Sequence, residues 1–302
     1  MKTDFSVSAS YLLVVLIWST TPLGIVWSSE SVDPTMAVLL RMLIAAVLGT
    51  LIIKIRGIDW PTTANARRLY CYSGFGIFGG MFFTYLSATY LPSGVISLIF
   101  GLAPIFSSLF AQKILGEAKH SSIRKISLAL SLVGLTIVFS DGLAVSAESW
   151  PGLIYILLAV ILFSYSAVLV KTVQIKINPI ATTVGALWVT IPFFVLAWLL
   201  LDGELPISEW QSRAIIAIIY LGIFGSLIGF VAYYYILQKL AASVVALITL
   251  MTPVLALAIG AYFNDETISY KLVAGAGFVI LGLILFNWGD KFLGRSEKAR
   301  SS

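Results

Sequence analysis

Residues 91–117 read LPSGVISLIFGLAPIFSSLFAQKILGE, and residues 240–266 read LAASVVALITLMTPVLALAIGAYFNDE. A shift of 149 residues lays Leu91 on Leu240, Val95 on Val244, Leu98 and Ile99 on Leu247 and Ile248, Pro104 on Pro253 and Glu117 on Glu266. The stretch is an internal repeat. Each copy is an apolar run of the length that crosses a bilayer, with a proline near its middle. A proline inside a helix removes one amide donor and displaces the carbonyl four residues earlier, here those of Phe100 and Thr249. In lipid such a carbonyl is costly. The repeat therefore predicts a membrane bundle broken twice at one depth, each break facing protein or a wet cavity.

The surrounding chain fits that frame. With 59% hydrophobic residues, 11% charged and a mean hydropathy of +1.00, it carries more apolar surface than a water-soluble domain can hide. Ten apolar segments follow one another, at 9–28, 35–54, 69–89, 93–112, 123–140, 152–171, 180–201, 213–236, 242–263 and 271–288. The loops between them are too short for a soluble domain. The first segment is as long as a full span and no A-x-A-like site follows it, so it reads as the first helix rather than a cleaved leader.

Sixteen of the 19 Lys and Arg fall in one alternate set of loops and termini, against Arg213 and Lys271 in the other set and Arg41 inside a span. That bias places both termini in the cytoplasm. Acids lean the other way, with Glu30, Asp33, Asp141, Glu148, Asp202, Glu204, Glu209, Asp265 and Glu266 outside. The net charge of +5 thus reads as a topology signal and not as a nucleic-acid surface. One cysteine, Cys71, and one histidine, His120 in a charged loop, leave no set for a disulfide, a zinc site or thiol chemistry, and no cofactor is implied.

Five helices is an odd number, so the second copy enters the membrane upside down. The sequence predicts an all-α integral membrane protein of ten transmembrane helices arranged as two inverted five-helix repeats, residues 1–145 and 146–302. Further pairs agree with it: Phe75, Gly76, Gly80 and Tyr85 fall on Phe224, Gly225, Gly229 and Tyr234. In the first helix of each half the offset is 145, laying Ser19 on Ser164 and Pro34 on Pro179, and Gly134-Leu135 falls on Gly282-Leu283.

With Trp18-Ser19 in helix 1, Arg41 in helix 2 and the repeated proline helix ending in Glu117 and Glu266, the chain resembles the drug/metabolite transporter superfamily, specifically its proteins with two EamA-type repeats. The resemblance covers nearly the whole chain. It implies a ten-helix carrier of small metabolites, often an amino-acid exporter, with a central cavity lined by helices 1–4 and 6–9. Two positions depart from symmetry or from the family pattern: Ser19 stands where many relatives have glycine, and Ala186 stands opposite Arg41.

Candidate substrate-lining residues are Trp18, Ser19, Arg41, Phe78, Phe82, Tyr85, Phe100, Tyr165, Trp188, Tyr234 and Thr249. Phe78, Phe82 and Tyr85 share one helix face by spacing, and Trp18 and Trp188 lie deep enough that an indole N–H must find a partner. Both patterns also describe ordinary core. Arg41 sits six residues, about 9 Å, inside its span. Intramembrane charge is expensive, so it holds a substrate carboxylate, reaches out to Glu30 or Asp33, or holds helix-end carbonyls. Pro104 and Pro253 are candidate hinges, and Gly76, Gly80, Gly225 and Gly229 are close-packing positions between moving halves. Glu117 and Glu266 read as caps for the helix that follows each. No Asp or Glu lies mid-span, which disfavours a proton-coupled exporter of cationic drugs. The reading is a secondary transporter, most simply an exporter, moving a small solute across the lipid bilayer of a cell (inner) membrane by alternating access, as a monomer or homodimer. The alternatives are a multidrug-type efflux carrier and a scaffold or sensor without transport. A membrane enzyme lacks a nucleophile–base pair or metal ligands at depth.

Overall fold

The structure, a computed structural model, describes residues 2–117, 121–140, 147–173, 175–240, 245 and 248–292. His120 and the start of the ninth segment lie outside the described residues, and so does the side chain of Thr249. The described residues form ten helical passes: α1 (Lys2–Ser28), α2 (Pro34–Arg56), α3 (Ala64–Ala88), α4a (Ser93–Phe100) with α4b (Ala103–Ile114), α5 (Ser122–Phe139), α6 (Trp150–Thr172), α7 (Pro179–Leu201), α8a (Ser212–Tyr220) with α8b (Gly229–Lys239), α9 (Ile248–Asn264) and α10 (Tyr270–Phe292). By length and composition, six stretches can cross a membrane: Ser6–Ser28, Pro34–Arg56, Ser93–Ile114, Trp150–Thr172, Pro179–Leu201 and Ser212–Lys239. Large apolar side chains stay exposed around the bundle, among them Leu16, Ile216 and Leu200 at 62, 66 and 74%. An apolar belt of that kind belongs in hydrocarbon, not water.

Helix ends follow local chemistry. Asp33 caps α2 by accepting from the Thr35 and Met36 amides, and Gly57, in the left-handed region at φ 59°, ends it. Thr63, Ser121 and Asn178 cap α3, α5 and α7 with their side chains. α1 begins seven residues before the apolar run predicts, because its polar first turns continue the helix beyond the hydrophobic stretch.

The packing obeys a twofold relation. α1 packs on α9 as α6 packs on α4b, and α3 packs on α6 as α8 packs on α1. α2 meets α7, α4a meets α9, and α5 lies along α10. In that last pair a Cβ on Gly134 would come 2.6 Å from the Gly275 carbonyl oxygen, so the two backbones touch within one chain. The repeat extends to single turns. Gly116 (φ 68°) and Asp265 (φ 49°) are equivalent left-handed residues, and after them Glu117 and Glu266 donate amides to the equivalent Ala111 and Gly260 carbonyls at 3.4 and 3.3 Å. This is the six-residue closure of a Schellman turn.

The two proline sites differ from expectation. The fourth pass breaks at Gly101–Leu102, just before Pro104, whereas α9 continues as one helix through Pro253. The break at one depth is therefore single among the described residues. A second irregularity lies elsewhere. Leu221–Ile228, between α8a and α8b, is a π-helical turn, and its repeat-related segment in α3 is regular α-helix.

Candidate functional site

α2 buries Val38, Arg41, Met42 and Ala45, one stripe at helical spacing, so its backbone geometry alone drives Arg41 inward. The Arg41 side chain is 1% exposed. Neither acid within reach in the sequence pairs with it: Asp33 is spent on the α2 cap, and Glu30 accepts from Arg213 Nε and Nη2 at 2.7 and 2.5 Å. Arg41 Nε instead donates to Ser226 Oγ at 2.7 Å, and Ser226 donates onward to Met42 Sδ at 3.7 Å. Both the serine and its neighbour Gly225 lie in the π turn. A Cβ on Gly225 would sit 3.0 Å from Arg41 Nη2, so glycine is what lets the guanidinium lie against this backbone. Arg41 Nη1 has no hydrogen-bond partner among the described residues.

Arg41 lines a hollow of about 80 Å³ together with Trp18, Ile25, Phe100, Phe163 and Phe230. A second hollow, about 190 Å³, lies on the side of the Lys- and Arg-rich loops. Pro104, Ser107 and Ala111 of α4b form part of its wall, and the exposed Glu117 and Lys171 line its mouth. Trp18, Ala103 and Phe163 line both. The Trp18 ring stands 6.2 Å from that of Phe163 and 5.1 Å from that of Tyr233, and Phe163 is 6.1 Å from Phe100. This aromatic cluster is the partition between the two spaces.

The opposite face is closed by polar contacts between the halves. The Glu266 carboxylate accepts from the Ser93 and Gly94 amides at 2.9 and 3.2 Å, seating a negative charge on the N-terminus of α4a. Asn264 donates to Glu266 at 3.4 Å and accepts from Trp27 Nε1 at 2.8 Å, which ties α1 into the same junction. Glu266 therefore caps a helix 173 residues away and not α10, the helix next after it in the chain. The left-handed Asp265 is the reason, since it folds Glu266 back over the end of α9.

Of the candidate residues, the structure brings Trp18, Arg41, Phe100, Pro104 and Gly225 to the hollows, with Tyr85 just behind. The Arg41 Cζ lies 6.0 Å from the Tyr85 ring centre, and Tyr85 Oη accepts from Ser28 at 3.4 Å. The others sit elsewhere. Ser19 is buried and donates to its own helix at Val15. Phe78 stacks on Phe82 and packs on Phe193 and Phe194 of α7. Tyr165 meets Phe75 and Phe110. Trp188 is 40% exposed, its indole satisfied by Thr50 at 2.8 Å on the outside of the bundle. Tyr234 is buried beside Ser73, and its neighbour Tyr233 reaches the cavity instead. A π turn takes one more residue than an α turn and rotates the rest of the helix about its axis, which displaces the face the symmetry assigns. Pro253 lies within α9, next to the cavity-lining Thr252. The four glycines meet the other half: Gly76 and Gly80 meet Ser166 and Phe163, and Gly225 and Gly229 meet Arg41 and Trp18.

Phe163 is the main residue the candidate set lacks. The signal was present, because the 145-residue offset that pairs Ser19 with Ser164 also pairs Trp18 with Phe163. The two rings that divide the hollows are thus repeat mates meeting at the pseudo-twofold axis.

Comparison with known proteins agrees with this geometry. The sequence model of the EamA-like transporter family matches residues 7–140 and again 150–288. An Archaeoglobus fulgidus protein named as an uncharacterized transporter is 28% identical over 278 residues, 90% of this chain and 95% of that protein. An Escherichia coli protein named as the uncharacterized inner membrane transporter YedA is 23% identical over 91% of this chain and 88% of its own length. Protein PagO of Salmonella typhimurium is 26% identical over 93% and 92%. A crystal structure 18% identical to this chain superposes with a TM-score of 0.69 over 97% of this chain and 99% of the other, the same fold.

Proposed function

We infer, from the premise that this chain belongs to the EamA-like transporter family and is a multi-pass membrane transporter, that it is a secondary carrier working by alternating access. Its cargo in this reading is a small carboxylate-bearing metabolite, amino acids being one such class, and its direction is export. The observation that carries the reading is the pair of hollows meeting at Trp18 and Phe163, one lined by Glu117 and Lys171 on the basic face and the other by Arg41, with the Glu266 junction tying the halves together on the acidic face. If the basic face is cytoplasmic, as the positive-inside bias argues, this is the inward-open state of a protein in an inner membrane. Cargo enters between Glu117 and Lys171, passes the aromatic partition and meets Arg41. Release on the other side requires the junction at Glu266 to part and the vestibule to collapse.

Each role follows from placement. Trp18, Phe163, Phe100 and Tyr233 form the contact surface, Arg41 the polar anchor, and the α4a–α4b break the hinge, since a segment already without one helical bond bends at little further cost. The symmetry supports rocking about the axis, because an inverted pair of halves turns one state into the other by exchanging conformations. The test is counterflow in proteoliposomes with radiolabelled amino acids and organic acids, for wild type and Phe163→Ala. Accumulation that depends on Phe163 is expected. If no solute crosses while a related carrier reconstituted alongside is active, the reading fails.

A further inference from the structure

We propose that the cargo of this site is an organic monoanion, a carboxylate on an uncharged and largely apolar body, and not a zwitterion or a cation. The proposal rests on the carrier reading above and names the class of solute that its central hollow recognises.

The guanidinium of Arg41 is fully buried and always charged, and no described acid faces it. A lone charge in that position is unfavourable for the folded protein unless something neutralises it. Ser226 fixes the side chain by Nε, Nη2 lies against Gly225, and Nη1 is buried with no hydrogen-bond partner among the described residues, in a side chain that forms part of the hollow's lining. Two parallel N–H groups on a rigid fork match the two oxygens of a carboxylate. The site is built for an anion.

The remainder of the lining decides what the anion carries. Around Arg41 the walls are Ile25, Met81, Ile96, Phe100 and Phe230, and the polar groups are hydroxyls. Those of Thr21 and Thr84 already donate to their own helices at Ile17 and Gly80, so they offer an oxygen but no charge. Among the described residues no Asp or Glu lines this hollow, and the vestibule has one carboxylate, Glu117, against Lys171 and Arg124. Among the described lining residues, Arg41 stands in the inner hollow with no carboxylate beside it. An α-ammonium carried in beside the carboxylate would lose its water and gain only uncharged hydroxyl oxygens and ring faces, a poor exchange for a primary ammonium. The small chamber at Arg41 takes the acid group, and the apolar body extends past Trp18 and Phe163 into the wider hollow.

The experiment uses matched trios that share one side chain: 3-phenylpropionate, phenylalanine and 2-phenylethylamine; 4-methylpentanoate, leucine and isoamylamine; indole-3-propionate, tryptophan and tryptamine. Binding is read on the purified full chain by thermal shift and by quenching of tryptophan fluorescence, and movement separately by counterflow. At least one acid is expected to bind about tenfold or more tighter than its amino acid, with its amine showing no response. Arg41→Met is expected to lose the response to acids while its ligand-free Tm stays level or rises, because an unneutralised buried charge has been removed. Arg41→Lys should keep a weakened response, and Ser226→Ala should weaken it with the charge retained; both stand in if Arg41→Met does not fold. The proposal is overturned if an amino acid or amine matches its acid, if none of the three acids binds, or if the acid response survives Arg41→Met. Acid binding without counterflow would keep this site and sink the carrier reading. Amino-acid counterflow without acid binding would do the reverse.

Discussion

In the carrier proposed above, the Glu266 junction holds the acidic face shut, and its strength follows from its contacts. The carboxylate takes two backbone amides, at 2.9 and 3.2 Å, at the first turn of α4a. Hydrogen bonds to a charged group contribute about 1.5–3 kcal/mol each, and a helix N-terminus adds about 0.3–1 kcal/mol for an anion. Glu266→Gln keeps one acceptor oxygen but turns an NH₂ toward the second amide, donor against donor, and removes the charge. A loss of about 2 kcal/mol is therefore expected, which is a shift of about thirtyfold toward the state open on this face. Ile25, 1% exposed and lining the inner hollow, is a suitable reporter. In a background lacking the exposed Cys71, an Ile25→Cys variant should react with an impermeant maleimide from the acidic face about thirtyfold faster once Glu266→Gln is added. Glu204→Gln, an exposed carboxylate on the same face, is the control. Equal labelling rates for the two variants, with both proteins folded, would refute the latch.

Other contacts carry smaller or more local effects. Arg213→Gln breaks a bidentate pair on the same face, but Arg213 is 54% exposed. Such pairs contribute about 0.2–1 kcal/mol, so labelling of Ile25→Cys should rise only about fivefold or less. Gly134→Ala pushes a methyl group onto the Gly275 carbonyl, where only backbone can yield; a stability loss of about 1–3 kcal/mol, seen as a lower Tm without change in cargo selectivity, is expected. Gly225→Ala displaces Arg41 Nη2 and should weaken cargo binding more than it lowers Tm, measured by titration and thermal melt on the same sample.

How much the sequence disclosed depends on which interactions decide each feature. Ten passes and their pairing were legible because apolar length and the 149-residue repeat are properties of the chain alone. Arg41 was legible as a charge that must be accounted for, but the choice between an outward ion pair and an inward site depended on Glu30 meeting Arg213, a contact 183 residues apart. Trp188 was misplaced because a helix in lipid is apolar on every side, so depth along the span is readable and azimuth is not. The hydrophobic stripe that marks the buried face of a soluble helix has no contrast here. Tyr234 failed for a different reason. Repeat alignment assumes equal helical pitch, and the π turn at Leu221–Ile228 breaks that assumption in one half.

Where the halves depart from their own symmetry, the departures share one logic. Glu117 and Glu266 leave equivalent left-handed turns, yet Glu266 locks α4a across the axis while Glu117 stands exposed at the vestibule mouth. Identical local geometry with different partners means that the difference between the faces lies in how the halves lean, not in the turns themselves. The π turn and the α4 break differ in kind, because neither has a counterpart in the other half among the described residues. The first of them places Gly225 and Ser226 against Arg41, a residue whose repeat mate is Ala186. In the carrier proposed above, symmetric turns fit the parts that exchange roles between states, and the asymmetric π turn fits the part that must recognise the same solute in both.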